Sequence, residues 1–181
     1  MTNATAAARR PTELWLALGA IALASAVYVP FALDGPPPAS GLFGHSLGIL
    51  GFLMMLFAQT GYTWRKNVRR EGWGPMRHWL RAHVFTGLVG PYLVLLHTAF
   101  EFRGLAGVTA LLVLVVVASG IVGRFVYTAT PKVVPSQAEA ARGARRVLAL
   151  WWLLHVPVAA AMFVLAFVHV AAALYYATLL R

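Results

Sequence analysis

Residues 77–103 read RHWLRAHVFTGLVGPYLVLLHTAFEFR, an apolar stretch of membrane-spanning length that carries His83 and His97. These two histidines lie 14 residues apart. In an α-helix this spacing corresponds to a rise of about 21 Å and to four turns less about 40°. Both imidazoles therefore lie near one helix face, one towards each side of a hydrocarbon core about 30 Å thick.

A second apolar stretch repeats this spacing. Residues 153–170 read LLHVPVAAAMFVLAFVHV, with His155 and His169 again 14 residues apart. Two helices with the same spacing can bring their histidines together as two pairs at different depths. Each pair could fill both axial positions of one haem iron, and a six-coordinate haem favours electron transfer over oxygen chemistry.

The composition is that of an integral membrane protein. Of the 181 residues, 60% are hydrophobic and 11% are charged, whereas a soluble domain carries about 25% charged residues. The sequence has no cysteine, which excludes disulfides, thiolate-ligated haem, covalently attached c-type haem and cysteine-bound iron–sulfur clusters. The net charge of +10 is placed in short basic blocks between apolar runs, a pattern that indicates membrane topology rather than nucleic-acid binding.

Hydropathy predicts an all-α bundle of five transmembrane helices in a single domain over residues 13–181, after a cytoplasmic tail over residues 1–12. The predicted spans cover about residues 13–33, 45–64, 82–100, 105–127 and 147–176. The first span is long enough to remain as an anchor, so no cleaved signal peptide is expected. Gly44, Gly48 and Gly51 follow each other at helical spacing in the second span, where small residues allow helices to approach closely.

The basic residues predict the orientation. With five spans, 13 of the 15 Lys and Arg residues fall on the side of the N-terminus, and only Arg103 and Arg181 fall on the other. The positive-inside rule then places the N-terminus in the cytoplasm and the C-terminus outside. We expect the membrane to be a bacterial inner membrane. Because the third and fifth spans both run outward, His83 and His155 form the predicted inner pair of iron ligands, and His97 and His169 the outer pair.

Other residues are candidates for contact with the cofactors. Gly87 and Gly90, near His83 and His97, would leave room for a macrocycle, as would Ala159 and Ala166 in the fifth span. The candidate partners of haem propionates are Arg81 and Arg124 for the inner haem and Arg103 for the outer haem, although topology alone also explains these arginines. His45, at the start of the second span, could contact a propionate, serve a quinone or acceptor site, or be an interfacial residue. His78 is predicted to be a solvated residue of the inner loop.

Packing and ion transport are the alternatives to haem binding. A single intramembrane histidine can serve packing, but four at a repeated spacing are hard to explain in that way, because ionisable groups within a span are costly. A metal or proton pathway would generally need acids inside the membrane. The five acids all lie at span ends or in loops, namely Glu13, Asp34, Glu71, Glu101 and Glu139.

Three motifs resemble the ferric-reductase-like transmembrane cytochromes b, which include the membrane domain of NADPH oxidases. They are RAHVFTGLVGPYLVLLHTAF, SGIVGRFVYTATP and WWLLHVPVAAAMFVLAFVHV, and the similar region covers about residues 45–176. The resemblance implies two haems b on His83, His97, His155 and His169, and electron flow across the membrane. Ferric reductases and NADPH oxidases also carry an FAD- and NAD(P)H-binding domain. This sequence has no Rossmann-type glycine motif, so its expected electron donor is a separate subunit, a soluble protein or membrane quinol.

The expected function is therefore electron transfer within a hetero-oligomeric oxidoreductase complex in the lipid bilayer. The chain would pass electrons between a cytoplasmic-side or quinone partner and a redox protein at the outer face, without making bonds in a substrate itself. One alternative is a quinone-reactive cytochrome b that anchors a dehydrogenase, with a quinone as a further cofactor. Another is a haem-free transporter or metal channel.

Overall fold

The computed structural model of the chain describes residues 12–33, 35–68, 74–129 and 138–178. Almost all of the predicted cytoplasmic tail lies outside the described residues. The same is true of Arg181 and of the basic residues within residues 69–73 and 130–137, which contribute to the predicted charge bias.

All regular structure in these described ranges is α-helical. The helices are α1 (Thr12–Ala32), α2 (Leu42–Asn67), α3 (Met76–His97), α4 (Gly104–Ala129) and α5 (Ala138–Thr178). Each of the 5 is long and apolar enough to cross a membrane. The predicted all-α fold with five spans is confirmed for the described part of the chain, and the side on which each terminus lies stays a prediction.

Two helices begin more than one turn earlier than hydropathy predicts. Helix α3 starts at Met76, after an extended Pro75, so His78 lies in its first turn and its predicted place in a loop is wrong. Helix α5 starts at Ala138 and has 41 residues, a length of about 62 Å. Its first residues read AEAARGARR. This segment is rich in residues that favour a helix, but it is too polar to be recognised as part of a membrane span. The part of α5 suited to crossing a bilayer runs from Arg145 to Tyr176.

Helices α1, α2 and α3 form one compact unit, which ends at Ala99. Helices α2 and α3 touch through glycine backbones, because a Cβ atom at Gly51 would lie 2.7 Å from the carbonyl oxygen of Gly90. This close approach confirms the packing role predicted for Gly51. Helix α1 packs on α3, where Ala17 is 1% exposed and the Ser25 hydroxyl lies 2.5 Å from that of Tyr92.

Helices α4 and α5 form a second compact unit, which begins at Phe100. Val113 of α4 and Ala159 of α5 are almost fully buried, with 1% and 3% exposure. Trp151 of α5 lies against the backbone of Gly123 of α4, where even a Cβ atom would come within 3.0 Å of the indole. This contact explains why that position of α4 carries no side chain.

Large apolar side chains cover the outside of both units. Examples are Leu42, which is 88% exposed, and Leu154, which is 68% exposed. In water such a surface would drive association, whereas in a bilayer the lipid chains solvate it. The exposed surface therefore agrees with the membrane-spanning length of the helices.

Candidate functional site

His83 is held against α2 by one hydrogen bond. Its Nδ1 atom lies 2.7 Å from the carbonyl oxygen of Ala58, and the Tyr62 ring lies beside it at a centroid distance of 5.4 Å. A carbonyl oxygen only accepts hydrogen bonds, so Nδ1 must carry the hydrogen. In the neutral ring the lone pair is then on Nε2, the nitrogen that faces away from this bond.

His97, the last residue of α3, is held in the same way. Its Nδ1 atom lies 2.8 Å from the carbonyl oxygen of Gly44, so Nδ1–H donates here too and Nε2 keeps the lone pair. The ring fits against α2 because Gly48 has no side chain, since a Cβ atom there would lie 3.0 Å from the His97 ring. Gly48 therefore makes room for a predicted ligand as well as for helix packing.

The two acceptors on α2 repeat the spacing of the histidines on α3. Ala58 and Gly44 differ by 58 − 44 = 14 positions, and His97 and His83 by 97 − 83 = 14. Antiparallel helices with the same rise per residue keep such pairs in register over about 21 Å. Sequence analysis singled out His45 of α2 but missed these two carbonyls, because every residue has a carbonyl and the sequence carries no signal for which one accepts.

His155 is held by a side chain instead of a carbonyl. Its Nδ1 atom lies 2.6 Å from the hydroxyl oxygen of Ser119 on α4. Trp151 stacks on the imidazole at a centroid distance of 4.9 Å, and its indole Nε1–H donates to the Ser119 carbonyl oxygen over 2.7 Å. The SGIVGR segment of α4 therefore includes a partner of His155 that sequence analysis did not single out.

His169 lies on the same helix, 14 positions after His155, and is half-buried. It makes no hydrogen bond, ion pair or ring contact with any residue in the described part of the chain. The fourth predicted ligand therefore lies at the predicted position, but the described residues do not hold its ring in one orientation.

Three of the four predicted ligands have a protein oxygen within hydrogen-bond distance of Nδ1. Histidines that bind metals typically donate their second ring N–H to a carbonyl or similar acceptor, which fixes the tautomer and raises ligand basicity. His83 and His97 each donate such a bond to a backbone carbonyl, and Nδ1 of His155 is hydrogen-bonded to the Ser119 hydroxyl. The described residues bring together no group of three or more metal-ligating side chains, and axial ligation of a haem needs two from the protein.

The glycines of α3 lie in different surroundings. At Gly87 a Cβ atom would meet nothing within 4 Å, so this position, one turn after His83, is open. At Gly90 a Cβ atom would lie 2.9 Å from the carbonyl oxygen of Gly51, so packing against α2 explains the residue. Contact of either glycine with a haem stays a prediction.

The three candidate arginines also differ. The Arg81 Nε atom lies 3.7 Å from a carboxylate oxygen of Glu13 on α1, with the arginine side chain 41% and the glutamate side chain 8% exposed. Arg124 is half-buried on α4, and Arg103 is exposed in the connection between α3 and α4. A role of these side chains towards propionates stays a prediction, and Arg81 has an ion-pair partner within the protein.

His45 lies closer to a predicted ligand than its sequence position indicates. It is exposed in the first turn of α2, and its ring lies edge-on to that of His97 at a centroid distance of 6.3 Å. His78 is exposed near the start of α3, as expected for a solvated residue. His45 is therefore the fifth histidine of the candidate site.

The four predicted iron ligands are divided between the two compact units. His83 and His97 belong to the first unit, and His155 and His169 to the second. The pairing of inner with inner and outer with outer histidines stays a prediction from spacing. Comparison with known proteins finds no matching family model, no similar curated protein and no similar solved structure.

Proposed function

We propose that the chain is a di-haem transmembrane cytochrome b of the ferric-reductase-like type, which transfers electrons across a membrane. His83 and His155 would ligate the inner haem iron, and His97 and His169 the outer one. The observation that carries the proposal is that Nδ1 of three of these histidines is hydrogen-bonded to a protein oxygen. Such a bond holds the ring of a histidine ligand in place, and the four positions are spaced for two cofactors in one bilayer.

Each haem would supply a one-electron redox centre, and the residues of the chain would determine its surroundings. With two histidine ligands from the protein, the iron would have no open position for oxygen. The apolar helices around them lower the local dielectric and exclude water, and α2 fixes the rings of His83 and His97. The contribution of the protein is position, ligation and electrostatics rather than bond making in a substrate.

The proposed orientation follows from charge. With the basic loops in the cytoplasm, the N-terminus is inside, the C-terminus is outside, and the inner pair lies near the cytoplasmic face of a bacterial inner membrane. Electrons would pass between a cytoplasmic-side or quinone partner and a redox protein at the outer face. The chain would act as one subunit of a hetero-oligomeric oxidoreductase complex.

One observation favours a quinone-reactive form of the same cytochrome. His45 is exposed and lies edge-on to His97, so it could donate a hydrogen bond to a quinone carbonyl close to the outer haem. In this form the chain would be the membrane anchor of a dehydrogenase. Quinone-site inhibitors should then slow haem reduction or reoxidation in the wild-type protein, and His45→Ala should weaken this inhibition.

Single histidine substitutions test the assignment of the ligands. We expect His83→Ala and His155→Ala to lose one haem component, and His97→Ala and His169→Ala to lose the other. Haem content and a potentiometric titration followed by absorbance would resolve the two components. His78→Ala, which changes an exposed histidine of the same helix as His83, is the control and should retain both haems. If all four variants bleached one common species equally, the pairing would be wrong.

A further inference from the structure

We propose that Ser119 is a positioning residue for the haem that His155 ligates, and that its hydroxyl lowers the reduction potential of that haem. This inference rests on the proposed function. It concerns a side chain that neither ligates iron nor belongs to the predicted contacts with the cofactor. Ser119 lies on α4, half-buried and opposite His155 of α5.

The proposed ligation places the hydrogens of this cluster. The Ser119 hydroxyl has one hydrogen, and its oxygen lies 2.9 Å from the Val116 carbonyl oxygen, which can only accept. With Nε2 of His155 on the haem iron, as proposed, Nδ1 carries the ring hydrogen and donates it to the Ser119 hydroxyl oxygen over 2.6 Å, and the hydroxyl donates its own hydrogen to Val116. The relay runs from imidazole to hydroxyl to carbonyl, and it leaves the lone pair of His155 on Nε2.

The same serine also fixes the plane of the imidazole through Trp151. The Ser119 carbonyl oxygen accepts from the Trp151 indole N–H over 2.7 Å, and the indole stacks on His155 with 25° between the ring planes. Gly123 leaves room for the indole against α4. A Cβ atom at Gly120 would lie 3.5 Å from Cε1 of His155. The imidazole is therefore bonded at one edge and covered on one face.

This bond is the one that a substitution can remove. His83 and His97 donate to backbone carbonyls, which remain when a side chain is changed, whereas His155 donates to a side chain. A hydrogen-bonded Nδ1–H makes the imidazole a more basic ligand, and a more basic ligand stabilises ferric over ferrous iron. Loss of the Ser119 hydroxyl should therefore raise the reduction potential of one haem and leave the other unchanged.

The test compares Ser119→Ala with two matched variants. Ser119→Thr keeps a hydroxyl that can bond a carbonyl in the preceding turn. Ser46→Ala removes the hydroxyl of an exposed helical serine that donates only to the Leu42 carbonyl. Potentiometric titration and EPR of the purified proteins should show a positive shift of one component and altered g values in Ser119→Ala alone. Ser119→Thr and Ser46→Ala should resemble the wild type.

Two results would overturn the inference: unchanged potentials in Ser119→Ala with both haems retained, or equal shifts of both components. If Ser119→Ala instead loses haem, selective loss of one haem that Ser119→Thr restores supports the inference, and loss of both contradicts it. A wild-type protein without haem would refute the proposed function separately. In that case the ¹⁵N chemical shifts of the His155 ring would still test the bond. Of the three variants, only Ser119→Ala should change the proportion of the tautomer that carries its hydrogen on Nδ1.

Discussion

At the scale of single residues, the site depends on what lies behind each imidazole. His97 is held by the Gly44 carbonyl over 2.8 Å, and its ring occupies the space that Gly48 leaves free. The first feature fixes the tautomer, and the second determines how close the ring can come to α2. A change in either feature should alter the tautomer or the position of the His97 ring, while His97 remains the ligand.

Gly48→Ala tests this arrangement. The new methyl group would lie 3.0 Å from Cγ and Nδ1 of His97, which is closer than ordinary van der Waals contact, so the ring must move away from Gly44. We expect lower occupancy or a shifted potential of the outer haem alone, measured by haem quantitation and redox titration. Alanine also favours a helix by about 1 kcal/mol over glycine. Gly19→Ala is therefore the control, because nothing lies within 4 Å of a Cβ atom there.

An unchanged outer haem in Gly48→Ala would contradict the proposed role of this glycine. An equal effect in Gly19→Ala would show that the change acts through general helix stability and not through the His97 ring.

Residue-level prediction succeeded where spacing determines position and failed where geometry determines the partner. The 14-residue spacing predicts that His83 and His97 lie near the same face of α3. It cannot indicate which carbonyl of α2 accepts from each ring, because acceptors of this kind are identical along the chain. Ser119 could have been suspected as a polar residue in an apolar span, but its partner depends on how α4 packs on α5.

At the scale of helices, the packing of α2 on α3 positions both His83 and His97. Two hydrogen bonds to the predicted ligands lie on either side of the contact between Gly51 and Gly90, where the helix backbones come closest. The separation of these helices therefore determines both bonds at once. A change at the contact should affect His83 and His97 together, unlike a change at Gly48.

Gly51→Ala tests this coupling. Its methyl group would lie 2.7 Å from the Gly90 carbonyl oxygen and 2.9 Å from Cγ2 of Val94, and the backbone atom cannot rotate away. Overpacking of this kind costs about 1–3 kcal/mol. We expect lower thermal stability in detergent and a parallel decrease of both haems. Selective loss of one haem, or wild-type stability, would contradict the coupling, and Gly19→Ala again is the control.

The ion pair between Glu13 and Arg81 joins α1 to α3 near His83. Because the Arg81 side chain is 41% exposed, we expect a coupling energy of about 1 kcal/mol or less in a double-mutant cycle of Glu13→Gln and Arg81→Gln, measured by denaturation. If Arg81 also serves a propionate, only Arg81→Gln should shift the potential of the inner haem. Additive stability effects would show that the pair contributes nothing. A shift of the potential in both single variants would assign it to the ion pair.

Helix existence was predictable, and helix boundaries were less so. Apolar runs identify the membrane-embedded part of α3 and α5, because burial in lipid requires it. The polar first turns of α3 and of α5 are helical through local propensity, and the extended Pro75 precedes those of α3. A hydropathy pattern does not detect these causes.

At the scale of the whole molecule, the number of spans and the charge bias determine the proposed orientation. If each of the five helices of spanning length crosses the membrane once, as proposed, the termini lie on opposite sides. The count of spans was predictable because each is a long apolar run. The pairing of histidines from α3 and α5 rests on their repeated spacing and on the proposed orientation.

Single cysteines test the orientation directly, because the chain has no cysteine of its own. Ser40, before α2, and Asn67, at its end, are both exposed. We expect a membrane-impermeant maleimide to label Ser40→Cys in intact cells and Asn67→Cys only after the membrane is opened. The reverse pattern would invert the proposed orientation and exchange the inner and outer assignments of the histidine pairs.

The most direct test of the central claim is the haem content of the purified protein, combined with its dithionite-reduced minus oxidised spectrum. The proposed function predicts about two b haems per chain, one for each pair of axial histidines, and a sharp α band of low-spin, six-coordinate iron. Absence of haem from protein produced with an ample haem supply would contradict the proposed cytochrome function. The four histidines would then be assigned to a transporter or a metal site.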